Sequence, residues 1–135
     1  MYMPLRDVKV LAGGPQGSGI ETVGQVLSAA LAYNGYGILV NREYYSNIKG
    51  RHSYITLRAS AQELPKSLTY PVELVGAMDA ETVFMHYNDL GEKGFLVYNV
   101  RDEDVRLDKI VSMEDCTRHR IGAENFIGFI VYCCV

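Results

Sequence analysis

Val8 to Gly35 reads VKVLAGGPQGSGIETVGQVLSAALAYNG, and the rest of the fold follows from how this stretch is read. Val8, Val10 and Ala12 alternate with Lys9 and Leu11, the two-residue period of a strand, and the strand runs straight into the glycine-rich turn Gly13 to Gly19. Behind it, Ile20, Val23, Leu27, Ala30 and Leu31 fall on one stripe of a helix, with Gly35 as its stop. The stretch is therefore a strand-turn-helix unit.

Downstream, Ile38 to Val40 reads as a short apolar strand. Tyr54 to Ala59 sets Ile55, Leu57 and Ala59 against Tyr54, Thr56 and Arg58 as a second. Val72 to Val75 predicts another strand, followed by a helix capped by Asp79, carrying Val83, Phe84, Tyr87 and Leu90 and ending at Gly91. Gly94 then turns the chain. Phe95 to Val100 and Lys109 to Met113 read as further strands, separated by the solvated stretch RDEDVRLD, while Ser60 to Pro71 reads as an exposed connection. Strands alternating with helices favour α/β: a three-layer, Rossmann-like domain with a mostly parallel, mixed central sheet flanked by helices.

One domain suits 135 residues, and a 48% hydrophobic content is enough for a core of ordinary size. No apolar run approaches the ~20 residues of a membrane helix, and the start MYMPLRDVKV lacks the apolar stretch of a signal peptide. A cytoplasmic location is expected. Cys116, Cys133 and Cys134 make an odd, poorly spaced set, so a reduced interior is the simpler assumption. Cys116 and His119 have a ligand-like spacing without a convincing second half-site, and no metal is assigned.

Charge is the best clue to function. From Asn41 to Ser60, Arg42, Lys49, Arg51 and Arg58 face Glu43 alone, a local +3 in a chain of net charge -3. Such concentration points to a local anionic partner, and the -3 total argues against nucleic acid. Within the run REYYSNIKGRHSY, Arg42, Ser46, Asn47, Lys49, Gly50, Arg51 and His52 are the candidate contacts to a phosphate or carboxylate. Lysine offers a point charge and arginine a planar fork. Gly50 allows close backbone approach. His52 and His86 are more often structural than catalytic.

The turn of Gly13, Gly14, Gln16, Gly17, Ser18 and Gly19 bears comparison with two phosphate loops, because glycines before a helix start present N-H groups to an anion. Gly14 and Gly19 have P-loop spacing, yet Ile20 and Glu21 stand where lysine and a hydroxyl residue belong, which argues against ATP hydrolysis. The dinucleotide fingerprint fails at Thr22, and Asn41 and Arg42 replace the ribose-binding acid. Arg42 suits a 2'-phosphate, so a stand-alone NADP-like binding module remains the alternative. Close strand-helix packing alone would also explain the glycines.

GGPQGSGIETVGQVLSAALAYNGYG followed by NREYYSNIKGRHSY resembles the gamma domain of 2-oxoacid:ferredoxin oxidoreductases, the pyruvate and 2-oxoglutarate enzymes, in particular the start of the fused alpha subunit. The likeness runs from about Val8 to Asn99 and takes in VELVGAMDAETVFMHYNDLGEKGFLVYN. It implies oxidative decarboxylation of a 2-oxoacid with coenzyme A (CoA) as co-substrate, giving acyl-CoA, carbon dioxide and reduced ferredoxin. The chain has no thiamine-diphosphate GDG...N motif, no Cys-x-x-Cys motif and no YPITP-like segment. Thiamine diphosphate and iron-sulfur clusters are therefore expected on partners, a thiamine-diphosphate-binding beta subunit and the remaining alpha-subunit domain, with ferredoxin an indirect partner. The family's gamma domain is implied to abut the active-site region and to take part in CoA handling, giving Lys49, Arg51 and Arg42 a role at CoA phosphates or the substrate carboxylate.

The family's subunits run longer, whereas this sequence stops at FIGFIVYCCV. The expectation is a single gamma-type domain over 1-135, truncated at its C-terminus or split, inactive alone, with the apolar tail buried in a partner or a homo-oligomer.

Overall fold

The computed structural model describes residues 6–44, 51–99 and 117–121. In chain order the elements are β1 (Asp7–Pro15), α1 (Ile20–Tyr33), β2 (Gly37–Tyr44), β3 (His52–Ser60), β4 (Val72–Ala77), α2 (Ala80–His86), β5 (Leu90–Asn99) and β6 (Thr117–Ile121). A 3-10 turn, Tyr87–Asp89, joins α2 to β5. The six strands form one sheet in the order β2-β3-β1-β4-β5-β6. β1 runs parallel to β4, β4 to β5 and β5 to β6, while β3 is antiparallel to both β1 and β2. The mixed α/β sheet is thus as expected.

Period-two alternation in β1 places Val8, Val10 and Ala12 on one face and Leu11 on the other. The first face packs against Ile20, Val23, Leu27 and Leu31 of α1 and Ile55, Leu57 and Ala59 of β3. The second packs Leu11 with Val75, Ala77, Val83, Leu96 and Tyr98 under α2. One helix on each face makes the three layers. The helix α1 ends where sequence places its stop. Gly35 has φ +90°, its N-H donates to the Ala32 carbonyl, and the Tyr36 N-H reaches back to Leu31, a paired closure that fills two orphan carbonyls.

Four details differ from the sequence expectations. Gly13 and Gly14 belong to β1, and the turn proper begins only after Pro15. Alternation continues through them because both are packing positions: a Cβ on Gly13 would meet Thr82 Cγ2 at 2.7 Å, and one on Gly14 would meet Met78 Cβ at 2.8 Å. The second helix stops at His86, and Leu90 and Gly91 already belong to β5. Gly94 is not a turn; it lies inside β5, where pairing jumps from Val72–Leu90 to Leu74–Phe95 and β5 bulges to absorb the extra residues. Finally, β6 pairs with β5 through Thr117 to Ile121, in a segment read only for a Cys-His spacing. The expected strand Lys109 to Met113 and the stretch RDEDVRLD lie outside the described residues, as do Cys116, Cys133 and Cys134. Among the described residues no helix is long and apolar enough to cross a membrane.

Candidate functional site

At the C-terminal end of β1 the chain opens a cleft of about 380 Å³. Its floor and one wall come from the turn and the first turn of α1, namely Gln16, Gly17, Gly19, Ile20, Glu21 and Thr22. Arg42 of β2 and Ser53, Tyr54 and Ile55 of β3 close the other side. The turn takes this shape because Gly17 and Gly19 sit at φ +88° and +95°, a region that costs side-chain-bearing residues energy. It is pinned at both ends: the Ser18 N-H donates to Pro15 O, and the Gln16 N-H donates to Arg51 O at 2.7 Å.

Gly19 caps α1 without a side-chain hydrogen bond, and the first intrahelical bond runs from the Val23 N-H to Gly19 O. The N-H groups ahead of Val23 therefore have no intrahelical acceptor and carry the positive end of the helix dipole toward the cleft. Glu21 stands at this end, and its carboxylate pairs with the Arg42 guanidinium at 2.9 Å across the cleft. Both side chains are well exposed, so the pair is weak and exchangeable. An incoming anion with more than one oxygen can compete with the Glu21 carboxylate for Arg42 and reach the helix N-H groups at the same time.

The structure brings together only part of the expected site. Arg42, Gln16, Gly17 and Gly19 line the cleft, whereas Arg51, exposed and just ahead of β3, does not line it and touches the turn only through its carbonyl, which accepts from the Gln16 N-H. Ser18 is turned under it, its Oγ buried without a hydrogen-bond partner. Ser46, Asn47, Lys49 and Gly50 lie outside the described residues. Glu21, Thr22, Ser53 and Tyr54 were missed by sequence reasoning. An acidic residue in the first turn of a helix was the available signal for Glu21, whereas nothing local marks Ser53 or Tyr54 as cleft-lining.

His52 does not enter the cleft. It is buried at 3% exposure, and its Nε2 lies 2.8 Å from Nε2 of His86, itself at 5%. The outer nitrogen of His86, Nδ1, contacts Asp89 Oδ2 at 3.0 Å. The outer nitrogen of His52, Nδ1, lies 3.5 Å from Thr82 Oγ1, which donates to the Asp79 carboxylate that also accepts the Thr82 N-H and so caps α2. Tyr54 links this network to the cleft, its ring centroid 4.5 Å from that of His86 and 5.7 Å from that of His52. Burial pushes the His52 imidazole below its usual range; charge on His86 acts in the same sense, while Asp79 and Glu81 pull the other way. Among the described residues no three His, Cys, Asp or Glu side chains gather to hold a metal ion.

The sequence matches a family model described as pyruvate ferredoxin/flavodoxin oxidoreductase over residues 9–129. It is 53% identical over 86% of its length to the alpha subunit of 2-oxoacid:ferredoxin oxidoreductase 1 from Aeropyrum pernix, spanning 18% of that relative. Among solved structures it resembles the 2-oxoglutarate:ferredoxin oxidoreductase of Magnetococcus marinus, determined with 2-oxoglutarate, CoA and succinyl-CoA bound, with a TM-score of 0.73 at 23% identity. That likeness covers 87% of this chain and 20% of the other. The gamma subunit of a keto/oxoacid ferredoxin oxidoreductase from Geobacter sulfurreducens PCA gives a TM-score of 0.61 at 17% identity, covering 87% of this chain and 63% of that one. At these identities the two structures speak to fold alone.

Proposed function

The chain belongs to the pyruvate ferredoxin/flavodoxin oxidoreductase family, and on that basis we propose that it is a non-autonomous domain of a 2-oxoacid:ferredoxin oxidoreductase. It works against the rest of an alpha subunit and a thiamine-diphosphate-binding beta subunit. In the assembled reaction a 2-oxoacid loses carbon dioxide, the acyl group passes to the CoA thiol, and two electrons leave to ferredoxin. Thiamine diphosphate and iron-sulfur clusters supply decarboxylation and electron transfer from partner domains. This chain contributes binding and positioning.

The observation that carries the proposal is the cleft itself, where an uncapped helix start, two positive-φ glycines and Arg42 converge. Its volume lies within the range of small-molecule sites. Phosphate oxygens of CoA, or the carboxylate of the 2-oxoacid, would take Arg42 from Glu21 and accept from the N-H groups of the first turn of α1. Lys49, in the same basic run of sequence, would add a second positive charge. Tyr54 and Ile55 offer apolar contact on the opposite wall.

The test is kinetic and uses the enzyme assembled with its partner subunits. Arg42→Ala should raise the KM for CoA about tenfold with kcat largely kept, the loss of one charge-assisted contact. Unchanged Michaelis constants for both CoA and the 2-oxoacid would reduce the domain to a scaffold. The nucleotide-binding alternative, favoured by Arg42 at the cleft, instead requires NADP to bind the chain alone and Arg42→Ala to abolish that binding.

A further inference from the structure

The buried polar network beneath the cleft has one more contact than its neutral groups can fill. Four contacts run in series: Asp89 to His86, His86 to His52, His52 to Thr82, and Thr82 to Asp79. Each needs one hydrogen between its two heavy atoms. Ionised carboxylates bring none, two neutral imidazoles bring one each, and the threonine hydroxyl brings one. Three hydrogens cannot fill four contacts.

With neutral rings, His86 donates from Nδ1 to Asp89, His52 donates from Nε2 to His86, and Thr82 donates to Asp79. The contact left empty is then His52 Nδ1 to Thr82 Oγ1, and this is the long one, at 3.5 Å. Adding a single proton to the histidine pair fills the series: His86 donates from both nitrogens and His52 donates from Nδ1 to Thr82. Adding a second proton destroys it, since both Nε2 atoms would then carry hydrogen at a separation of 2.8 Å.

We propose that His52 and His86 form a one-proton latch, in which a single proton shared between the two imidazoles clamps the start of β3 to α2 and sets the position of the Tyr54 wall of the cleft. The surrounding charges favour one proton and no more. Asp79 and Glu81 of α2, and Asp89 of the 3-10 turn, face the pair with negative charge. From β3 the Tyr54 ring lies against both imidazoles, and a charged imidazole against that ring gains a cation-π contribution. β1 presents Gly13 and Pro15 beside His52 and brings no titratable group. Burial opposes the second charge, as the lowered His52 indicates. The device is physically coupled to the cleft because Tyr54 belongs to both, yet it does not depend on which anion the cleft receives.

Ring-nitrogen NMR of the full chain, titrated from about pH 8 to pH 5, tests the latch. The expected record is a first protonation in which the Nε2 signals of His52 and His86 move together and the Tyr54 ring signals follow, with the second protonation separated from it to lower pH. Thr82→Val removes the terminal acceptor while keeping the side-chain shape, so it should shift the first midpoint downward. His86→Gln should abolish the joint step. Independent titration of the two rings, or two neutral rings down to pH 5, overturns the proposal. So does a first midpoint untouched by Thr82→Val. Titration of the unsubstituted chain decides between these outcomes even if a variant fails to fold.

Discussion

The two faces of the central sheet solve burial in different ways. On the α1 face, a fourteen-residue helix lays Ile20, Val23, Leu27 and Leu31 over an aliphatic surface drawn from β1, β3, β4 and β5. On the α2 face, the helix has seven residues, and its buried set mixes Val83 with Thr82 and His86. The first face gains from area removed from water and asks nothing of geometry beyond packing. The second must satisfy each buried nitrogen and oxygen, and so is sensitive to protonation as well as to volume. Stability and responsiveness are divided between the faces, and the cleft lies at the end of β1, the strand they share.

The largest effect should come from emptying the aliphatic face. Leu27→Ala removes a fully buried side chain and should cost about 2–5 kcal/mol in denaturant unfolding, whereas Val83→Ala in α2 should cost less, on the order of 1–2 kcal/mol. Equal losses would erase the distinction between the faces.

A paired glycine test refines it. Gly13→Ala drives a methyl group against Thr82 Cγ2, His52 Cε1 and Tyr54 Cβ, at 2.7, 3.1 and 3.2 Å, and should destabilise by about 1–3 kcal/mol. Gly24→Ala in α1 meets only the Ile55 side chain, most closely at its flexible end, Cδ1, at 2.8 Å; about 1 kcal/mol of helix propensity offsets the crowding, leaving little net change. Thermal midpoints of the two variants decide between a rigid polar face and a compliant aliphatic one.

The smallest expected effect is on pH dependence. Because burial and charge on His86 hold His52 below the ordinary value of 6.5, the proton that would charge His52 itself, the second of the pair, binds more readily to the unfolded chain. The stability it contributes is full above about pH 6.5 and declines as pH falls through the folded value. His52→Gln should flatten this part of the profile, measured by urea midpoints between about pH 7.5 and 5, while Leu27→Ala should lower the whole curve without changing its slope.

Much of the fold could be read in advance. The alternation of Val8, Val10 and Ala12, the helical stripe from Ile20 to Leu31 and the stop at Gly35 are local patterns, and each is found where its spacing implies. Asp79 likewise caps α2. Where the reading failed, local pattern and tertiary contact conflict. Gly13 and Gly14 look like a turn, but Thr82, Met78 and Ser18 crowd them, and the strand carries on. Leu90 continues a helical spacing from Val83, yet pairing with Val72 takes it into β5. Of the residues that line the cleft, Arg42, Gln16, Gly17 and Gly19 were legible from charge and composition, whereas Ser18, of the same turn, does not line it. Their meeting with Glu21 and Tyr54 was not, since it depends on β3 returning antiparallel between β2 and β1.

Periodicity, capping and charge density are properties of neighbours along the chain, so the main elements, the class of fold, the family and the basic run all follow from the order of residues. Only the assembled sheet makes Arg42 face Glu21, and brings His52 and His86, thirty-four positions apart, within 2.8 Å of each other between two aspartates. Such contacts come from strand order and helix placement, where one residue of register or one strand reversal exchanges the partners of every side chain.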